Sequence, residues 1–226
     1  MTLLRTGGLA GLVCAATYLF GFAFLVTLLA PLGYGTVDID AHAVVAFIND
    51  SPGLLILWNT VIYIVNALAL AVLVIALHER LRLATPDLAA ITRALGLMWA
   101  TLVIGAGMIG NVAVERAAHL APTDMERAVA LWELLHTVEL GLGGGNEIAG
   151  GVWIGCVSIA GLVGHSLGKI TIGLGLVTGA AGLLTLLPAL GDIAGAIFGL
   201  GAIMWFIAIG LTFAFKRATP LAQVSS

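Results

Sequence analysis

Apolar residues in this chain come in six long runs separated by short polar punctuation, and the runs set the architecture. They cover residues 7–32, 54–77, 94–114, 141–164, 170–187 and 193–215. Each is close to the ~20 residues a helix needs to cross the hydrocarbon core of a bilayer. None alternates with period two as a membrane barrel strand does, and backbone groups in lipid must be satisfied within their own segment. The pattern predicts an all-α polytopic membrane protein of one domain with six transmembrane helices. The punctuation agrees. Ser51-Pro52 opens the second helix, with Ser51 as its cap, and Thr85-Pro86-Asp87 turns the loop before the third. Pro122-Thr123-Asp124 turns the next loop, with Thr123 and Glu126 spaced as a capping box. Pro188 and Gly191-Asp192 make a short turn before the last helix.

The fourth run carries an amphipathic extension over 126–140. On a helix of 3.6 residues per turn, Glu133, His136, Glu139, Asn146 and Glu147 fall in one stripe about 140° wide. Glu126 to Gly164 is too long for one span. Gly143, Gly144 and Gly145 cost on the order of 3 kcal/mol in a helix relative to alanine. Close packing in lipid tolerates such glycines, so the expectation is a continuous or gently kinked helix that projects from the membrane.

Composition makes the membrane reading firm. The chain is 61% hydrophobic and only 9% charged, against about 25% charged in soluble domains. Lipid is the solvent that such a surface requires. Arg5, Arg80, Arg82, Arg93, Lys169, Lys216 and Arg217 fall on one side of the predicted topology, Arg116 and Arg127 on the other. The basic side faces the cytoplasm, so both termini are expected inside. The first outer loop carries Asp38, Asp40 and Asp50 and no basic residue, which agrees. A net charge of -3 without a basic cluster gives nucleic-acid binding no electrostatic basis. The run at 7–32 exceeds the ~7–15 residues of a secretory signal core and is expected to stay as the first helix. Cys14 and Cys156 lie in apolar spans and read as small packing residues. Tyr34 and Trp58 sit where an outer aromatic belt is expected. Gly191, Gly195 and Gly199 recur every fourth residue, a close-packing face expected to pack within the monomer, with a homo-oligomer contact as the alternative.

Polar groups at membrane depth are costly to bury and so are functional candidates. They are lopsided here. Asn59, Tyr63 and Asn66 share a face of the second helix, and Asn111 lies near the outer end of the third. His136, Glu139, Asn146 and Glu147 occupy the outward half of the fourth segment. The inward half is nearly featureless. This distribution fits a pocket open to the outside that takes a small molecule. Glu115, His119, Glu133 and His136 form a second candidate set, because carboxylates and imidazoles three or four residues apart on a helix can ligate zinc or iron. Only Glu133-His136 has the Glu-x-x-His spacing of a carboxylate-bridged metal bundle, so no cofactor is firmly implied.

The stretch from His136 through Leu187 resembles a bacterial family of multi-helix membrane proteins, domain of unknown function 4386. The resemblance rests on His136, on Gly151-Val152-Trp153, on the turn His165-Ser166-Leu167-Gly168-Lys169 and on the glycine-rich segment Gly173 to Gly182. The end of the second run, LALAVLVIALHERL, is also similar. The family turn commonly carries Leu-Pro-Arg where this chain has Leu167-Gly168-Lys169. The resemblance implies the multi-helix layout and adds no mechanism.

The sequence therefore leads to a protein of the bacterial cytoplasmic membrane whose partners are the bilayer and a small molecule on its outer side. A binding, sensing or partner subunit is the favoured reading. A small-molecule transporter is the first alternative, although a pathway should leave polar residues on the inner side too. A metal-dependent membrane enzyme is the second.

Overall fold

The computed structural model describes residues 2–36, 39–144 and 147–215. Asp38, Asn146, Lys216 and Arg217 lie outside the described residues. All regular structure among the described residues is helical. Helix α1 runs over Leu3–Leu32, α2 over Ala41–Asp50, α3 over Pro52–Leu81 and α4 over Pro86–Leu120. They are followed by α5 at Met125–Glu139, α6 at Ile148–Val163, α7 at Lys169–Leu184 and α8 at Gly191–Phe215. Five segments are long and apolar enough to cross a membrane: α1, α3, α4, α5 taken with α6, and α8 with its lead-in turn. The sixth apolar helix, α7, has 16 residues, or about 24 Å at 1.5 Å per residue, less than the ~30 Å of a hydrocarbon core. It stops at Leu184, where the Thr185 hydroxyl turns back to the Gly182 carbonyl at 2.7 Å and Pro188 opens a tighter turn.

The helices close a ring in chain order. α1 packs on α3, α3 on α4, α4 on α6, α6 on α7, α7 on α8, and α8 returns to α1. Glycine sets two of these contacts. On α1, a Cβ at Gly8 would lie 2.8 Å from the Gly210 carbonyl oxygen of α8. On α6, a Cβ at Gly151 would lie 2.8 Å from the Gly182 Cα of α7. Backbones this close leave no room for a side chain, and dispersion contacts between them replace the hydrophobic drive that lipid cannot supply. Leu68, Val177 and Leu200, each more than half exposed, point outward, as suits contact with a lipid bilayer.

Two apolar clusters fill the interior. The larger lies inside the ring, where Trp99, Trp153, Trp205 and Phe206 stack in tilted and edge-on pairs with centroids 5.4–5.5 Å apart from Trp99 to Trp153, Trp153 to Trp205 and Trp205 to Phe206. The second caps one end, where α2 and α5 lie over the end of α4 and bury Val44, Val45, Ile48 and Trp132.

Several expectations are corrected. The helix at the third apolar run extends beyond 94–114 to Pro86–Leu120, because Arg93, Glu115 and His119 do not interrupt an alanine-rich helix. The fourth segment is neither continuous nor gently kinked: Gly143 takes φ 141° and breaks the chain between α5 and α6. The cap of α5 is Asp124, which accepts from the Arg127 N–H at 3.0 Å, and not a Thr123–Glu126 box. Ser51 occupies the cap position of α3 without a side-chain bond. Within the repeat, Gly191 and Gly195 face open space, and of the three glycines Gly199 alone meets a neighbour, the ring of Phe22. The close-packing glycines are Gly8, Gly210, Gly151 and Gly182 instead.

Candidate functional site

A cavity of about 580 Å³ opens at the seam between the two apolar clusters. Trp99 and Val103 belong to the ring core and form part of its wall; Tyr34 and Trp58 belong to the cap cluster and form another part. Gly195 and Gly199 of α8 border it; Gly195 leaves open space where a Cβ would go, and Gly199 admits the ring of Phe22.

Two π-helical segments and one helix break border this cavity. They are Leu25–Leu29 in α1, Thr60–Val65 in α3 and the kink at Leu140–Gly144 after α5. Leu25 comes from the first, Ile62 and Tyr63 from the second, Leu140 and Gly143 from the third. A π turn inserts a residue and rotates the side chains that follow, which is why such turns recur at functional sites. Here the π turn in α3 precedes Asn66 and contains Tyr63, and the break at Gly143 separates Glu139 from Glu147, all four in the lining.

The charge in that space is negative. Glu139, Glu147 and Asp192 line the cavity, and among the described residues no lysine or arginine does. Glu139 is 5% exposed. His136 Nδ1 lies 2.9 Å from its Oε2; since a carboxylate only accepts, the ring proton belongs on Nδ1. The His136 ring lies flat on Trp132 with centroids 4.7 Å apart, and Tyr34 closes over it at 5.5 Å. Burial, and secondly the Glu139 charge, push the Tyr34 phenol well above its usual range, so it stays neutral. Glu147 sits just past the break. Its backbone N–H reaches the Thr185 hydroxyl at 3.4 Å, and no hydrogen bond or ion pair to its carboxylate forms among the described residues.

The candidates divide. Tyr63, Asn66, His136, Glu139 and Glu147 line the cavity. Asn66 is also committed elsewhere: its amide donates to the Thr17 hydroxyl at 2.7 Å and ties α3 to α1. Asn59 and Asn111 are not in the lining. Asn59 is buried against Gly110, and Asn111 donates to the Thr60 hydroxyl at 3.0 Å, its carbonyl oxygen buried without a partner. Asn146 lies outside the described residues. The metal candidates Glu115, His119 and Glu133 are exposed, while His136 turns inward to Glu139. No group of three or more His, Cys, Asp or Glu is placed to hold a metal ion among the described residues.

Sequence reasoning missed Tyr18, Trp99 and Asp192, and gave Tyr34 and Trp58 to an interfacial belt. Both rings are turned inward, 9% and 8% exposed, and Trp58 Nε1 donates to the Gly21 carbonyl at 3.2 Å. No signal in the sequence marks these rings as neighbours, since Tyr18, Trp58 and Trp99 come from α1, α3 and α4. Comparison with protein-family models, with curated proteins and with solved structures finds no match.

Proposed function

We propose that the protein is a six-span protein of the bacterial cytoplasmic membrane, both termini inside, that binds a small molecule from the outer side. The observation that carries the proposal is the cavity bordered by two π turns and the Gly143 break and containing Glu139 and Glu147. A carboxylate at membrane depth is expensive to keep unless it has work to do. The seven-to-two split of basic residues supports an outward opening. Membership of the domain of unknown function 4386 family, on the residues from His136 to Gly182, belongs to the same proposal. Binding is favoured over transport because Trp99, Trp153 and Trp205 fill the ring beyond the cavity.

The test is labelling from outside. Gly195 borders the cavity with open space where a Cβ would go. In a chain with Cys14→Ala and Cys156→Ala, Gly195→Cys should react with a membrane-impermeant maleimide on intact cells. Labelling only after the cells are broken open overturns the outward cavity.

A further inference from the structure

We infer that the cavity takes an organic cation, an ammonium group carried on an apolar body, a conclusion that rests on the outward-cavity reading above. Three features of one space lead there. The first is charge: Glu139, Glu147 and Asp192 line the cavity, and no lysine or arginine does among the described residues. An anion would meet no cationic side chain of the lining and the repulsion of these carboxylates. A neutral apolar guest would bring Glu147 no counter-charge, so the carboxyl would take up a proton instead of engaging the guest. The second is the wall. Tyr18, Tyr34, Trp58, Tyr63 and Trp99 all contribute to it. Tyr34 and Trp58 meet edge to face at 81°, with centroids 5.7 Å apart, and Trp58 meets Tyr63 at 72°. Non-parallel rings around a space offer more than one π face to a cation, each worth about 0.5–2 kcal/mol as desolvation increases. The third is size. About 580 Å³ falls within the ~300–1,000 Å³ of small-molecule pockets and is far larger than a bare metal ion requires.

The two carboxylates nearest the interior do different work. Glu139 is held by His136 and fixed in the wall. Glu147, on a residue freed from helical geometry by the break, is the counter-charge the cation would meet. Asp192, exposed in the first turn of α8, adds negative potential at the mouth.

The experiment titrates the full chain in lipid nanodiscs with benzyltrimethylammonium, with benzyl alcohol as its neutral counterpart and benzoate as the anionic one, corrected for empty nanodiscs. The expected result is saturable binding of the cation at least tenfold tighter than either counterpart. Glu147→Gln should weaken it about tenfold, and Asp192→Asn, at an exposed position, about two- to threefold at low salt. Glu133→Gln, on the exposed face of α5, should change nothing. Equal affinity for the alcohol or benzoate overturns the cation inference, as does unchanged binding in both Glu147→Gln and Asp192→Asn. If Glu147→Gln does not fold, Asp192→Asn alone decides. Absence of binding by the cation, with Gly195→Cys still labelled from outside, also overturns this inference and leaves the cavity reading standing. Loss of that labelling brings down both.

Discussion

His136 and Glu139 form a pair in the cavity wall, Nδ1 to Oε2 at 2.9 Å, with the imidazole clamped flat on Trp132. The carboxylate is 5% exposed, so it depends on this donor. His136→Leu should cost about 1–3 kcal/mol, the penalty for stranding a buried acceptor. The double substitution with Glu139→Leu should recover part of that loss. A double-mutant cycle on thermal unfolding in detergent checks it: additivity within about 0.5 kcal/mol would mean that the two residues are not coupled.

The glycines make a prediction of opposite signs. Gly8 on α1 faces backbone, with the Gly210 carbonyl oxygen 2.8 Å from where its Cβ would be. Backbone cannot step aside as a flexible side chain can. Gly8→Ala should therefore destabilise by about 1–3 kcal/mol through overpacking. Gly195, which meets nothing, should gain up to about 1 kcal/mol from the same change through helix propensity. Melting temperatures of the two variants measured side by side decide the matter; equal shifts would refute the assignment of the ring closure to Gly8.

Asn66 lies on the cavity, yet its amide is committed to the Thr17 hydroxyl at 2.7 Å. It acts as a tie between α1 and α3. Asn66→Leu should lose about 1 kcal/mol of stability, a typical net hydrogen bond, while Gly195→Cys in the same chain should label from outside at its usual rate. An unchanged melting temperature would show that the tie contributes nothing.

How far this was legible in the sequence depends on which force set each feature. Long apolar runs are a response to lipid alone, so the helices could be placed from the chain. α2 was legible and overlooked: Ala41, Val44, Val45 and Ile48, all buried, recur at the spacing of one helical face. Other features depend on neighbours in space. The Gly191–Gly195–Gly199 repeat has the same spacing as a packing face, but only the position of α1 decides whether a glycine meets a helix or a void. Likewise Asn59, Tyr63 and Asn66 share a face on an ideal helix, whereas the π turn at Thr60–Val65 rotates that face, and Asn59 ends against Gly110 while Tyr63 reaches the cavity. Glu139 and Glu147 were visible as polar residues in an apolar setting. The aromatic wall around them was not, because its members come from three helices and the turn after α1.

The break between α5 and α6 gives the last prediction. Gly143 has φ 141°, a region closed to residues with a Cβ, whereas Gly141 two positions earlier has no positive φ and meets nothing within 4 Å of a built Cβ. Both border or adjoin the cavity, so crowding cannot separate them; backbone conformation can. Gly143→Ala should cost about 1–3 kcal/mol in strain, and Gly141→Ala should be neutral or slightly stabilising. The consequence extends beyond stability. If Gly143→Ala relieves its strain by straightening the chain, α5 and α6 approach one continuous helix, and Glu147 rotates relative to Glu139. Binding of benzyltrimethylammonium should then fall together with the melting temperature, while Gly141→Ala keeps both. A Gly143→Ala protein as stable as the parent would show that the chain does not need this break.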